Sequence, residues 1–106
     1  MSFPISSGLL DAVVLAVLEQ EDAYGYRITQ LVRSRLDISE STLYPVLRRL
    51  EKSGDLTVYD RAFDGRNRRY YAITPKGRMQ LADYRRDWHT YRNGIEALLF
   101  AGGKQE

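Results

Sequence analysis

The sequence predicts a small domain of the α+β class that is mostly helical, and three observations support this prediction. Apolar residues recur at helical spacing in four separate stretches of the chain. Two short runs rich in β-branched and aromatic residues lie between the third and the fourth stretch. With 106 residues, 43% of them hydrophobic, the chain is long enough to build one core.

Composition argues against several classes of protein. Residues 12–18 form the longest apolar run, which is shorter than the roughly 18 to 20 residues that cross a bilayer. Residues 1–8 lack the basic start and the cleavage site of a secretory signal, and the chain has no cysteine. We therefore expect a cytoplasmic protein without a membrane partner.

Catalysis and metal binding are also not expected. His89 is the single histidine, so one chain cannot build the usual nitrogen and sulfur ligand sets for zinc. No glycine-rich phosphate loop, nucleophile elbow or paired-carboxylate arrangement is present in the sequence. We predict neither an enzyme nor a cofactor.

The first predicted helix, residues 9–19, is apolar around most of its circumference. A helix of this kind is usually buried on two sides, and one face of a small domain covers only one of them. We therefore expect a second subunit to cover the other side. The apolar residues are Leu9, Leu10, Val13, Val14, Leu15, Val17 and Leu18.

Two further helices are predicted in the arrangement of a helix-turn-helix. Apolar spacing from Tyr24 to Leu36 indicates the second helix, and residues 37–40 form a short polar connection. Either Ser39 or Ser41 is a suitable N-cap for the third helix, and Gly54 is a suitable end. The third helix has an apolar face for the core and, opposite it, a polar and basic face: Thr42, Tyr44, Pro45, Arg48, Arg49 and Lys52.

A β-hairpin is predicted directly after the third helix. Residues 56–59 and 69–73 have the composition of strands, and Asp64-Gly65 is a turn signal between them. The connecting loop is predicted to be basic, with Arg61, Arg66 and Arg68 in it and Arg69 in the second strand. A hairpin in this place makes the fold a winged helix-turn-helix.

The last predicted helix is long and extends from residue 76 to about residue 100. Thr74 and Pro75 form a strong start signal, a cap followed by proline. Its apolar seam has the alternating three- and four-residue spacing of a coiled coil; the seam comprises Leu81, Tyr84, Trp88, Tyr91, Ile95 and Leu98. We expect residues 1–74 to form the DNA-binding domain and residues 75–106 to form a dimerisation helix and tail.

Three segments together resemble the PadR family of bacterial regulators. They are Tyr-Gly-Tyr at 24–26 with Ile28, Thr-Leu-Tyr-Pro at 42–45 with Leu47, Leu50, Glu51 and Gly54, and Arg-Tyr-Tyr at 69–71 with Ile73, Thr74, Lys76 and Gly77. The chain departs from the usual family residues at Arg27 and Ser41. The resemblance implies a homodimer that binds palindromic double-stranded DNA, often as a repressor.

The third helix and the hairpin carry the predicted DNA contacts. Ser41, Thr42, Tyr44 and Pro45 are expected near base edges in the major groove and Arg48 near phosphate. Tyr44 has the alternative of covering a helix start, and Arg69 that of pairing with Asp60 across the hairpin. The full candidate set is Ser39, Ser41, Thr42, Tyr44, Pro45, Arg48, Arg49, Arg61, Arg66, Arg68 and Arg69.

Trp88 has two interpretations, interface core or ligand platform. The resemblance implies a short branch of the family in which flat aromatic compounds bind between the subunits on a tryptophan that matches Trp88. An effector site there would be lined by Asp11, Val14, Val17, Tyr84, Trp88 and Tyr91. The predicted dimer contacts are Leu9, Leu10, Val13, Leu81, Ile95 and Leu98.

We therefore predict a homodimeric, nucleoid-associated transcriptional regulator, a repressor relieved by a small aromatic effector at the dimer interface. One alternative is a winged-helix protein-interaction module without specific DNA binding. Another is a small-molecule carrier or sensor that binds DNA only weakly. The arginines of the hairpin favour the first interpretation, because an assembly domain is expected to carry apolar or mixed charge there.

Overall fold

Four helices and a small antiparallel sheet follow one another in the predicted order. A computed structural model describes residues 5–101. The sheet has the strand order β1-β3-β2, and the whole is a winged helix-turn-helix with a long last helix. The elements are α1 (Ser7–Gln20), β1 (Ala23–Tyr24), α2 (Gly25–Arg33), α3 (Glu40–Lys52), β2 (Leu56–Phe63), β3 (Arg66–Ile73) and α4 (Pro75–Leu99).

Hydroxyl side chains begin three of the helices. Leu9 N–H donates to Ser6 Oγ at 3.2 Å, Thr42 N–H to Ser39 Oγ at 3.2 Å, and Gly77 N–H to Thr74 Oγ1 at 3.0 Å. Each contact satisfies one of the backbone donors that a helix start leaves free. Ser39, and not Ser41, is therefore the N-cap of α3, and the predicted cap at Thr74 is confirmed.

One core lies between the three helices of the domain, the sheet and the start of α4. Leu10, Val14 and Leu81 belong to it, with only 4%, 0% and 1% of their surfaces exposed. Leu10 and Leu81 were predicted to be dimer contacts and Val14 to line the effector site, but the subunit's own core surrounds all three side chains. The other buried apolar residues are Leu15, Leu18, Ala23, Ile28, Val32, Leu43, Val46, Leu47, Leu50, Leu56 and Tyr71.

Two helix boundaries differ from the prediction. α2 ends at Arg33, so Leu36 lies in the connection to α3, where it packs against the core. α3 begins at Glu40, which places Pro45 in its second turn. Pro45 therefore lies inside the helix and not at its first position, and a proline there is expected to bend the helix.

The hairpin is longer than predicted because its turn is only two residues long. Asp64 and Gly65 have φ angles of 55° and 78°, the left-handed conformation that such a turn requires, so Phe63 and Arg66 are directly opposite each other. The predicted basic loop is therefore wrong: Arg61, Arg66 and Arg68 are strand residues.

The two halves of α4 differ in burial. Gly77 and Leu81 are buried against the rest of the domain, whereas every described residue from Arg85 onward is exposed. Within residues 5–101 no helix combines the length and the hydropathy of a membrane-spanning segment.

Candidate nucleic-acid interface

The outward face of α3 presents small polar residues and one arginine. Because Leu43, Val46, Leu47 and Leu50 are buried, the positions between them point away from the core. Those outward residues are Ser41, Thr42, Pro45 and Arg48, and all four are exposed. The face has the width of one helix, which is what the major groove of B-DNA admits.

Hydroxyl groups at the start of α3 form an ordered cluster. Ser39 Oγ lies 3.0 Å from Ser41 Oγ and 2.8 Å from Thr42 Oγ1, within hydrogen-bond distance of both. In the second turn, Pro45 lacks the N–H that would donate to the Ser41 carbonyl. The first two turns of α3 therefore carry hydroxyls and a carbonyl that lie at the surface.

The neighbouring arginines of α3 have different surroundings. Arg49 Nη1 donates to Asp11 Oδ2 of α1 at 2.8 Å, and this hydrogen bond raises the pKa of Arg49. Arg48 is exposed and makes no hydrogen bond or ion pair with other residues in 5–101. Arg48, in the middle of the exposed face, is thus an α3 cation that is free to meet a phosphate, and so is Lys52 in the last turn.

Asp11 is not where the sequence analysis expected it. It was predicted to line an inter-subunit ligand site, but only 7% of its surface is exposed and its carboxylate is directed to α3. This prediction is wrong. The ion pair with Arg49 went unpredicted because the two residues are 38 positions apart and have no local pattern in common.

The register of the hairpin separates the wing arginines by face. Arg61 is opposite Arg68, and the same face carries Phe63 opposite Arg66. Arg69 lies on the other face, directly opposite Asp60. The pairing alternative for Arg69 therefore has the right register.

Aromatic rings pack against Arg61 and Arg68. We call the face of the hairpin that carries these two arginines the outer face. The guanidinium of Arg61 lies 5.3 Å from the Tyr70 ring centre, and that of Arg68 lies 4.5 Å from Tyr24 and 4.8 Å from Phe63. These are cation–π distances. The sequence analysis missed this row, although the alternation of aromatic and basic residues in 59–63 and 66–70 is the pattern that would have revealed it.

Tyr44 packs at the start of α2. A Cβ atom added at Gly25 would lie 2.9 Å from Tyr44 Cε1, so glycine is needed for the ring to take this position. The ring borders a groove of about 560 Å³ between α2 and the wing. The groove brings four predicted contacts together, Tyr44, Arg66, Arg68 and Arg69, and is otherwise lined by Tyr24, Gly25, Tyr26 and Tyr71.

A second, apolar groove of about 360 Å³ lies between α1 and α4. Leu9 and Val13 contribute to it from α1, and Tyr84 and Trp88 contribute from α4; Trp88 is 39% exposed. The Tyr91 ring lies 6.3 Å from the Trp88 ring, in an adjoining depression. Of the predicted effector residues, the structure thus brings together Tyr84, Trp88 and Tyr91.

The remaining predicted effector residues lie elsewhere. Val14 is in the core, and Val17 packs against the core outside this groove. Within the described part of the chain there is no group of three or more potential metal-ligating residues.

Comparisons with known proteins agree with this geometry. Residues 14–83 match the family described as "Transcriptional regulator PadR-like family". The chain is 46% identical over 66 residues to the transcriptional regulator Rv3488 of Mycobacterium tuberculosis, covering 61% of this chain and 62% of that protein.

Two crystal structures are similar over most of the chain. The smu.1704 protein of Streptococcus mutans is 37% identical, with a TM-score of 0.86 and 93% of each chain covered. A PadR family transcription regulator of Clostridium difficile is 29% identical, with a TM-score of 0.79, covering 85% of this chain and 97% of that one.

Proposed function

The chain belongs to the PadR-like family of transcriptional regulators, and we propose that it acts as a homodimeric repressor that binds a palindromic operator and is released by a small aromatic effector. The family consists of DNA-binding regulators and not of enzymes. The dimer, the operator, the sign of regulation and the effector are our proposals.

The outward face of α3 is the observation that carries the DNA-binding proposal. It offers the hydroxyls of Ser41 and Thr42 for base edges and Arg48 for a phosphate, all exposed. Arg66 and Arg68 of the hairpin border the same groove as Tyr44 of α3 and offer further phosphate contacts. In this scheme Arg49, which is held by Asp11, positions α3, and the DNA contacts rest on Arg48 and the wing.

The exposed half of α4 supports the dimer proposal. Trp88, Tyr91, Ile95 and Leu98 form an apolar seam on the half of α4 in which every described residue is exposed. A seam of this length at coiled-coil spacing is characteristic of helix association. Two α3 helices presented by such a dimer would read half-sites one DNA turn apart, about 34 Å.

The DNA-binding proposal is tested by removing one charge at a time. A duplex selected by the protein from a random-sequence pool serves as the operator. Replacing Arg48 by glutamine should weaken binding by the dimer at least about tenfold and reduce the slope of log affinity against log salt by about 1.8, because each of the two subunits loses one phosphate contact.

Arg78→Gln is the matched control, because Arg78 is also exposed but lies at the start of α4. It should leave both the affinity and the salt slope unchanged. If the protein selects no duplex at low salt, the interaction-module alternative takes the place of the DNA-binding proposal. Equal slopes for the two variants would remove Arg48 from the interface.

The effector proposal rests on the groove between α1 and α4. It is apolar, it holds the single tryptophan, and it is continuous with the proposed dimer seam at Trp88 and Tyr91. A planar aromatic compound stacked on Trp88 should quench its emission in a titration and lower operator affinity at saturation. An unchanged operator affinity with the groove saturated would rule the effector role out.

A further inference from the structure

Asp11 links α1 to α3 through an ion pair in which the carboxylate is buried and the arginine is half exposed. Its Oδ2 atom accepts from Arg49 at 2.8 Å, and the Asp11 side chain is 11% exposed. Its other oxygen, Oδ1, is buried and makes no hydrogen bond with any residue in 5–101. A buried carboxylate in this position depends on its one cationic partner, so the two side chains are expected to move together.

Tyr84 approaches the same carboxylate from the side of α4. The burial of its phenol and, next, the negative charge of Asp11 raise the pKa of Tyr84 above its ordinary value of 10.0. Its ring also passes α1 closely, since a Cβ added at Gly8 would lie 3.8 Å from Tyr84 Cε1. On its other side, Tyr84 lines the apolar groove together with Trp88.

These contacts form a continuous path from the groove to the DNA-facing helix. Trp88 and Tyr84 are one turn apart on α4, the Tyr84 ring passes α1 at Gly8, about one turn before Asp11, and Asp11 holds Arg49 on α3. Arg49 is the immediate neighbour of Arg48, the proposed phosphate contact. A rotation of α3 that moves Arg49 therefore also moves Arg48.

We infer that Tyr84, Asp11 and Arg49 form a relay within each subunit, through which a planar aromatic ligand in the α1–α4 groove changes the position of α3 and so the affinity for DNA. The inference deepens the proposed function and rests on it. The relay does not require the two subunits to tilt relative to each other, because all three of its residues belong to one chain. Asp11 is a positioning residue in this scheme and touches neither DNA nor ligand, whereas Tyr84 lines the groove and connects the ligand to Asp11.

The relay predicts a reciprocal effect, because a ligand that changes DNA affinity must itself be bound differently in the presence of DNA. The probe is 1-anilinonaphthalene-8-sulfonate, a fluorescent aromatic anion that the charge of DNA repels. Its dissociation constant is measured on the full chain without DNA and with a saturating amount of the selected duplex. In the wild type we expect the two constants to differ about tenfold.

Asp11→Asn is the test variant, since it keeps the size of the side chain and removes its charge. The ratio of the two dissociation constants should fall below about twofold, while the affinity for the probe without DNA stays as in the wild type. Tyr84→Phe, which keeps the ring in the groove and removes the hydroxyl, should lower the ratio in the same direction. This second variant decides the question if Asp11→Asn does not fold.

Glu19→Gln is the matched control. Glu19 also lies on α1 and also pairs with an arginine, Arg85, but that arginine belongs to α4 and not to α3. The variant should keep the tenfold ratio of the wild type. A lost ratio in all three variants would mean that α1 ion pairs act through general stability, and the relay would be overturned.

Other outcomes separate this inference from the function on which it rests. A wild type that binds the duplex but shows equal probe affinity with and without it overturns the relay and leaves DNA binding standing. So does an Asp11→Asn variant with the full wild-type ratio. If the probe does not bind, the emission of Trp88 on addition of duplex replaces it, and a signal that does not respond in the wild type also overturns the relay. Failure of the wild type to bind any duplex overturns the proposed function itself.

Discussion

The two halves of α4 follow one another without a break in the helix and yet have opposite surroundings. In the first half, Gly77 and Leu81 are enclosed by the domain. In the second half, Trp88, Ile95 and Leu98 are exposed although they continue the same apolar seam. The apolar spacing is similar in both halves, so the spacing by itself does not decide which half is enclosed by its own chain.

The two halves of α4 differ in burial because the rest of the chain packs closely only against the first turns of the helix. α4 starts beside Asp55 and β3, and α1 runs alongside its first turns, so the domain covers only those turns. Beyond Arg85 the described chain only borders Trp88 and Tyr91, and every described residue there is exposed. The first half therefore contributes to the stability of one subunit, whereas the second half is available for association between subunits.

The largest expected effect comes from a glycine in the enclosed half. A Cβ at position 77 would lie 2.3 Å from the Asp55 carbonyl oxygen and 2.8 Å from Ile73 Cγ1, and the first of these neighbours is backbone. Gly77→Ala should lower the free energy of unfolding by about 3 kcal/mol or more, because the start of α4 must move away from β2 and β3. Urea denaturation measures the loss.

Gly94→Ala makes the same change in the exposed half and should have the opposite sign. No atom lies within 4 Å of a Cβ added there, and alanine is favoured over glycine inside a helix by about 1 kcal/mol. A destabilised Gly94→Ala dimer would show that the second subunit packs closely at this position. Equal effects of the two substitutions would contradict the division of α4 into two halves.

A charge in the apolar seam gives the next largest effect. Ile95→Asp should weaken self-association at least about tenfold, since the interface would enclose two unpaired carboxylates, one from each subunit. Sedimentation at several concentrations measures the association. The unfolding of the dissociated subunit should be nearly unchanged, because Ile95 is exposed there.

Asn93→Asp adds the same charge about 200° away around the helix, on the face opposite the seam. It should leave the association constant as in the wild type. Dissociation by both variants would point to net charge as the cause, and dissociation by neither would exclude the seam as the interface.

Much of the fold could be predicted from the sequence because its signals are local. Thr74-Pro75 started α4 at the right residue, and Asp64-Gly65 placed the turn of the hairpin. β1 escaped prediction because a strand of two residues is defined only by its partners in β3. The lengths of β2 and β3 were underestimated because Asp60, Ala62 and Asn67 belong to residue types that are depleted in strands, and the two-residue turn nevertheless keeps the strands paired.

The candidate site was less predictable because its residues are assigned by packing. Arg48 and Arg49 are neighbours with the same side chain, and only the position of α1 decides that Asp11 takes Arg49. Val14 and Val17 are both apolar residues of α1, and the direction in which the helix meets the core put Val14 inside. Sequence patterns gave the polar face of α3 correctly but not which of its cations has a partner within the chain.

The smallest expected effect concerns the contact at the boundary between the two halves. Arg85 is the first residue of the exposed half, and it donates to Glu19 Oε1 at 2.9 Å and to Oε2 at 3.4 Å. The hydrogen bond from Arg85 is the main cause that lowers the pKa of Glu19 below its ordinary value of 4.5. This ion pair holds α4 to α1 at the last point where the domain covers it.

Because the folded state lowers this pKa, Glu19 stabilises the protein above about pH 4.5 and loses that contribution as the pH falls through the lowered folded value. Glu19→Gln should therefore melt at most a few degrees below the wild type at about pH 7, since both partners are solvent-accessible and salt screens them. The difference between the two melting temperatures should shrink as the pH falls through the lowered folded value, because the wild-type carboxylate then becomes protonated as well. A difference that grows toward low pH would mean that Glu19 stabilises the fold in its neutral form, and the attachment of α4 at this boundary would then depend on packing instead of the ion pair.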